Sequence, residues 1–109
     1  MVTTRLHQVC DLLDFHRQLA GAGRRLVVVM FAAAWCGACR KLAPGLEEVT
    51  RRFPAAVFLK VDVDQLDQLA AEYVVNAVPT FVFVRSGKMV DSFAGANEEK
   101  LVQVMASLG

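Results

Sequence analysis

The sequence predicts an α/β domain in which a central mixed sheet of five strands is flanked by four helices on both faces. Three observations predict it. Apolar runs and helical stripes alternate in the order β-α-β-α-β-α-β-β-α, the order of a layered α/β unit. Two of the runs, Leu26 to Phe31 and Val57 to Val63, are rich in valine and nearly continuous, as strands covered on both faces are. The last two strands are separated only by the turn Ser86-Gly87, so they pair antiparallel and the sheet is mixed. With 109 residues, 55% hydrophobic and 21% charged, the chain can bury one modest core, and a single domain over residues 1–109 is expected.

In chain order, Leu6 to Cys10 forms a short first strand. Asp11 caps the helix that follows, with Asp14 in its acidic first turn and Leu12, Leu13, Phe15, Leu19 and Ala20 as its apolar stripe. Gly21-Ala22-Gly23 ends that helix. After the strand Leu26 to Phe31, a long helix runs from Cys36 to about Phe53, because Leu42, Leu46, Val49 and Phe53 recur at helical spacing. Pro44 lies inside it and removes one hydrogen bond, so a bend is expected near Arg40 to Pro44. Val57 to Val63 is the next strand, and Asp64 is the expected cap of a short helix over about Gln65 to Tyr73. Val74 to Val78 connects to Pro79. The hairpin Thr80–Arg85 and Lys88–Ala94 leads through Gly95 and Ala96 to a final helix, capped by Asn97 and burying Leu101, Val102, Met105 and Leu108.

Composition excludes several function classes. A net charge of +1 gives no long-range attraction to nucleic acid or to an anionic membrane, and neither partner is expected. The longest apolar stretch, Leu26 to Cys36, is bounded by Arg24-Arg25 and Gly37 and is too short to span a bilayer. The opening Met1-Val-Thr-Thr-Arg-Leu-His-Gln lacks the basic-then-apolar order of a secretory leader, so a thiol-reducing cytoplasmic location is expected. Three cysteines at this spacing make neither a secreted disulfide framework nor a four-ligand zinc site, and no metal is assigned. Zinc shared with another chain through Cys36 and Cys39 remains an alternative.

The chemistry centres on Trp35-Cys36-Gly37-Ala38-Cys39-Arg40-Lys41. Cys36 sits where a buried strand gives way to a helix. The first N–H groups of a helix have no intrahelical partner, and the positive end of its dipole favours an anion. A thiolate is such an anion, and it is the attacking species: at a pKa of ~8.5 about 3% of a thiol is ionised at pH 7, and at ~7 about half. Cys39 lies one turn on, on the same face, within reach to close a ring with Cys36. The pair reads as a redox-active dithiol, with two core thiols as the bland alternative.

These residues, together with Leu26-Val-Val-Val-Met-Phe31, Pro44, Phe58-Leu-Lys-Val-Asp-Val-Asp64, Val78-Pro79-Thr80-Phe81 and Phe93-Ala-Gly-Ala-Asn97, resemble the thioredoxin family over nearly the whole chain. The resemblance implies the thioredoxin fold and a protein-disulfide reductase that maintains intracellular thiol redox state. It makes Cys36 the exposed nucleophile and Cys39 the more buried resolving thiol. It matches Pro79 to a cis-proline facing the thiols, with Val78 offering strand-like hydrogen bonds to an extended substrate. Trp35, Val78, Gly95 and Ala96 would form an apolar patch around Cys36. The implied partners are disulfide-containing proteins and a flavin thioredoxin reductase that passes on electrons from NADPH; no cofactor binds this chain, and a monomer is expected.

Two positions depart from the family pattern. Ala38 stands where most members carry proline, adding a backbone N–H near the Cys36 sulfur and loosening the first turn, which should stabilise the thiolate form. Met30 stands where the family usually has a buried aspartate held to take the proton from Cys39, so resolution should be slow. Lys60, which the family places in the same region, would lack its acidic neighbour and is expected to adjust, by snorkelling to solvent or by holding its proton less firmly. Bland readings stand beside these: Met30 as a core filler, Trp35 as a packing residue, Pro79 as a trans loop proline. Cys10 reads as a buried structural thiol and His7 and His16 as surface or satisfied residues. Two function classes stay open: a reductase, with room for oxidase or isomerase behaviour, and a slow or non-catalytic binding module on the same fold.

Overall fold

The computed structural model describes residues 5–109; Met1 to Thr4, on which the reading of the opening segment partly rests, lie outside the described residues. The elements are β1 (Leu6–Gln8), α1 (Leu12–Gly21), β2 (Val27–Ala32), α2 (Gly37–Arg52), β3 (Val57–Asp62), α3 (Asp67–Glu72), β4 (Thr80–Arg85), β5 (Lys88–Ala94) and α4 (Glu98–Leu108). The strands form one sheet in the order β1-β3-β2-β4-β5. β3 runs parallel to β1 and β2, while β4 is antiparallel to both β2 and β5. This is the expected mixed sheet, with the valine-rich β2 at its centre.

Alternation along β2 divides the core. Val28, Met30 and Ala32 face one layer with Leu42, Leu46 and Val49 of α2 and Leu101 and Met105 of α4. Val27, Val29 and Phe31 face the other with Phe15 of α1 and Leu69 and Ala70 of α3. Helices therefore cover both faces, and each fully buried large side chain stabilises the fold by roughly 1.5–3 kcal/mol in transfer terms. Turn chemistry agrees with the sequence. Ser86 and Gly87 both take positive φ, at 53° and 79°, as a two-residue hairpin turn of the I′ kind requires.

Two local expectations are corrected. β1 stops at Gln8, and Val9, not Cys10, is the buried residue of that segment. Cys10 is exposed, because the chain there turns into the start of α1 and its N–H is taken by Asp14 Oδ2 at 2.9 Å. Asp64 does not cap α3: Asp62 Oδ1 accepts the N–H groups of Asp64 and Gln65, and the helix starts later, after Leu66, with no side-chain cap. α3 ends at Glu72 with Tyr73 as its C-cap, and Val74 follows at φ 56°, a left-handed position that a β-branched residue rarely occupies. Among the described residues no helix is long and apolar enough to cross a membrane.

Candidate active site at the start of helix α2

β2 delivers the chain to Ala33, and Cys36 N–H donates to Ala33 O at 3.1 Å, folding the segment back on itself before α2 begins. Cys36 is the N-cap of α2, with extended backbone at φ −81° and ψ 105°, and its sulfur accepts the N–H of Cys39 at 3.1 Å. A sulfur thus fills the place that an oxygen of Ser, Asp or Asn usually fills. In this closed form the amide that reaches the sulfur is that of Cys39, and the Ala38 N–H is left available to the thiolate once the bond opens. The two cysteines are joined, with Cα atoms 5.3 Å apart, inside the ordinary range for a disulfide. Both are 5% exposed. The expected contrast of an exposed Cys36 with a more buried Cys39 is absent in this oxidised form, where both belong to one core cluster with Ala33 and Met30.

The residues expected around the dithiol converge from separate elements. Trp35 is 67% exposed, and its Nε1–H donates to Asp64 Oδ2 at 2.9 Å. The Val78–Pro79 bond is cis. Pro79 is buried, and its carbonyl accepts Gly95 N–H at 2.8 Å, which ties the loop before β4 to the end of β5. Two shallow depressions result. One, of about 150 Å³, lies between Trp35 and the segment Val75 to Val78; the other, of about 220 Å³, is lined by Ala38, Lys41, Leu42 and Ala96. Gly37 and Gly95 are exposed, Gly95 at φ 114°. Sequence reasoning missed Asp64, Val75, Asn76 and Ala77. A signal for Asp64 was present: the indole N–H has one donor and no acceptor, so an exposed tryptophan seeks a nearby carboxylate.

Behind Cys39 the surroundings are different. Met30 is 2% exposed, opposite Phe81 on β4 and beside Lys60 on β3. A cavity of about 410 Å³ borders Cys39 and is lined also by Arg40, Lys60, Asp62 and Gln65. Lys60 is half-buried and reaches this cavity. Asp62 is the one carboxylate among the described lining residues, already engaged with two amides. The perturbed groups lie elsewhere: Asp14 is lowered to about 2, first by the Cys10 N–H and then by His7, and burial against Phe15 and Phe31, with Glu72 nearby, raises the Tyr73 phenol. His7 pairs with Asp14 at 2.8 Å and takes no part in the site. Among the described residues no group of three or more His, Cys, Asp or Glu side chains could hold a metal ion.

Comparison with known proteins follows the same lines. The family profile described as Thioredoxin matches residues 8–107. The chain is 50% identical to Thioredoxin H-type 1 of Nicotiana tabacum over 75% of its own length and 65% of that protein, so it spans just under two thirds of that relative. It is 42% identical to the thioredoxin of Gallus gallus over 92% of this chain and 95% of that one. Among solved structures, Fasciola hepatica thioredoxin superposes with a TM-score of 0.88 at 44% identity, covering 93% of this chain and 97% of that chain. A chain in the complex of ferredoxin:thioredoxin reductase and thioredoxin f2 gives 0.90 at 30% identity, covering 98% of each.

Proposed function

Because the chain belongs to the thioredoxin family and is a thiol-disulfide oxidoreductase that reduces protein disulfides by dithiol exchange, we propose that Cys36 attacks and Cys39 resolves. The Cys36 thiolate attacks one sulfur of a substrate disulfide. A mixed disulfide forms, and the other substrate sulfur leaves with the electron pair and takes a proton. Cys39 then gives up its proton and attacks Cys36 Sγ, closing the Cys36–Cys39 bond and releasing the second substrate thiol; two electrons have passed to the substrate. The observation that carries this assignment is the position of Cys36 Sγ, N-cap of α2 and acceptor of the Cys39 N–H, where the field of the helix start stabilises a sulfur anion.

The apolar surface formed by Trp35, Val78, Pro79, Gly95 and Ala96 binds the segment that carries the substrate disulfide, and the Val78 backbone pairs with that segment as an added strand. Gly37 and Ala38 shape the turn beneath the attacking sulfur. Thioredoxins need no bound cofactor. Electrons reach Cys36–Cys39 from a thioredoxin reductase; the relative solved with ferredoxin:thioredoxin reductase supports docking of a reductase on this fold, and the donor proposed here is the flavin enzyme that draws on NADPH. Residues 1–109 act as one thioredoxin domain, and the protein works as a monomer in the cytoplasm. A second reading, a slow or non-catalytic binding module, is favoured by one observation: Met30 leaves no buried acid beside Cys39.

Insulin reduction separates the two, first with dithiothreitol and then with NADPH and a flavin thioredoxin reductase. Reduction well above that of a Cys36→Ser, Cys39→Ser double variant is expected in both. Parity with the double variant supports the binding module, and activity with dithiothreitol alone refutes the NADPH route while leaving the dithiol assignment standing.

A further inference from the structure

The end of the sheet opposite Cys36 holds a further concavity. β2 begins there at Val27 and β4 ends there, since Val27 lies opposite Val84, whereas Cys36 follows the far end of β2. The cavity measures about 300 Å³. Its floor is apolar, formed by Leu26, Phe53, Ala56 and Met105, of which Leu26 and Met105 belong to the buried core. Its rim is basic, formed by Arg24, Arg25, Arg52 and Arg85; no acidic side chain is among the described lining residues, and Gly109, the last residue of the sequence, lines the cavity beside Arg85.

Arg24, Arg25 and Arg52 are in no salt bridge among the described residues. Two of the rim arginines are held in place by backbone oxygens. Arg25 donates to Ala22 O at 3.1 Å and to Gly21 O at 3.0 Å, and Arg85 donates to Leu108 O at 2.8 Å and Gly109 O at 3.4 Å. The Ala22, Gly21 and Leu108 carbonyls satisfy donors and leave the charge in place, whereas the Gly109 oxygen belongs to the last residue's carboxyl group and offsets Arg85, so an anion falls to the other three. Arg24 and Arg52 are exposed. A guanidinium stays protonated at any working pH, so the rim keeps its positive charge and its members repel one another. An anion on the rim would relieve that repulsion through charge-assisted bonds, and an attached apolar group would cover the floor.

We propose that this cavity binds a small amphiphilic anion, an aryl or short acyl body carrying one phosphate-like head. The head meets Arg24, Arg25 and Arg52; the body lies on Leu26, Phe53 and Met105. The volume is at the small end of the range for ligand sites, about 300–1,000 Å³, and a cavity of about 150 Å³ already takes benzene. One substituted ring fits.

The test titrates phenyl phosphate, inorganic phosphate and benzyl alcohol into the oxidised protein, followed by backbone amide NMR shifts and thermal unfolding. Phenyl phosphate is expected to shift the amides of Leu26, Phe53, Ala56 and Met105, to raise the unfolding midpoint, and to bind about tenfold or more tightly than either fragment. The Arg24→Gln, Arg52→Gln double variant should weaken it about tenfold and leave insulin reduction unchanged. Equal binding of phosphate and phenyl phosphate overturns the proposal, as does undiminished binding by the double variant. Capture on phosphatidylserine vesicles without any response to phenyl phosphate overturns it too, and assigns the patch to a membrane surface.

Discussion

Helices α2 and α4 start with the same geometry and opposite chemistry. At α4, Asn97 accepts the N–H of Lys100 at 3.0 Å, and Glu98 and Glu99 in the first turn complement the positive end of the dipole. At α2, Cys36 Sγ accepts the N–H of Cys39 at 3.1 Å, the first turn holds no acidic residue, and the cap is buried. The start of α4 is therefore neutralised by inert groups and serves stability. The start of α2 leaves its field to act on a sulfur. One local motif yields a structural joint in one place and a reactive centre in the other, and the difference lies in which atom caps and which charges are withheld.

The sharpest way to break the comparison is to give α2 an inert cap. Cys36→Ser retains a good capping oxygen, so stability should stay within about 1 kcal/mol of the reduced wild type, while insulin reduction falls by at least about a thousandfold. Denaturant unfolding and turnover measured together check both halves, and residual turnover near wild type would remove Cys36 from the mechanism. Next in size is Met30→Asp, which places a base in the Cys39 layer. Resolution of the mixed disulfide in single-turnover experiments should quicken about tenfold or more. The buried carboxyl should cost the fold on the order of 2–5 kcal/mol, and because burial disfavours its charged form the loss should widen as pH rises. An unchanged rate would mean that Met30 is a core filler and the proton leaves by another way.

Ala38→Pro acts on the donors around the sulfur. Proline removes an N–H at the second helical position, so the reduced form loses support and the potential should become more negative. The wild type should lie above the roughly −270 mV of thioredoxin, a value that belongs to the family's reference protein. A glutathione titration that finds the wild type at or below that value counts against the role given to Ala38. At α4 the matching change is Asn97→Ala, which should cost about 1 kcal/mol of stability by denaturant unfolding with insulin reduction nearly unchanged.

What could be read in the sequence was what local pattern encodes. The valine run of β2, the Ser86-Gly87 hairpin, the caps Asp11 and Asn97 and the spacing of Cys36 and Cys39 each express a short-range physical preference, and each stands where it was expected. Val78, Pro79, Gly95 and Ala96 were identifiable only through a family resemblance, because the bond from Gly95 N–H to Pro79 O joins segments that no periodicity links. Asp64 was expected as a helix cap, and the turn went instead to Asp62, for a related reason. Either carboxylate could have served the turn after β3, and only the approach of Trp35 assigns Asp64 to the indole. The cavities were wholly illegible, since their walls come from several elements at once.

The smallest expected effect concerns the third helix start, α1, where acid is used in the α4 manner. Asp11 accepts Asp14 N–H at 2.8 Å, and Asp14 in turn accepts Cys10 N–H at 2.9 Å and pairs with His7. These bonds favour the ionised carboxylate, which holds Asp14 at about 2 against an ordinary 3.8. A group depressed in the folded state stabilises the fold above its unfolded pKa and loses that contribution as pH falls through the folded value. Asp14→Asn should therefore lower the unfolding midpoint at pH 7, and the gap from wild type should close between about pH 4 and pH 2. Because this acid lies away from Cys36, turnover at pH 7 should not follow the midpoint; if it did, the starts of α1 and α2 would be coupled and the separation between stabilising and reactive caps would fail.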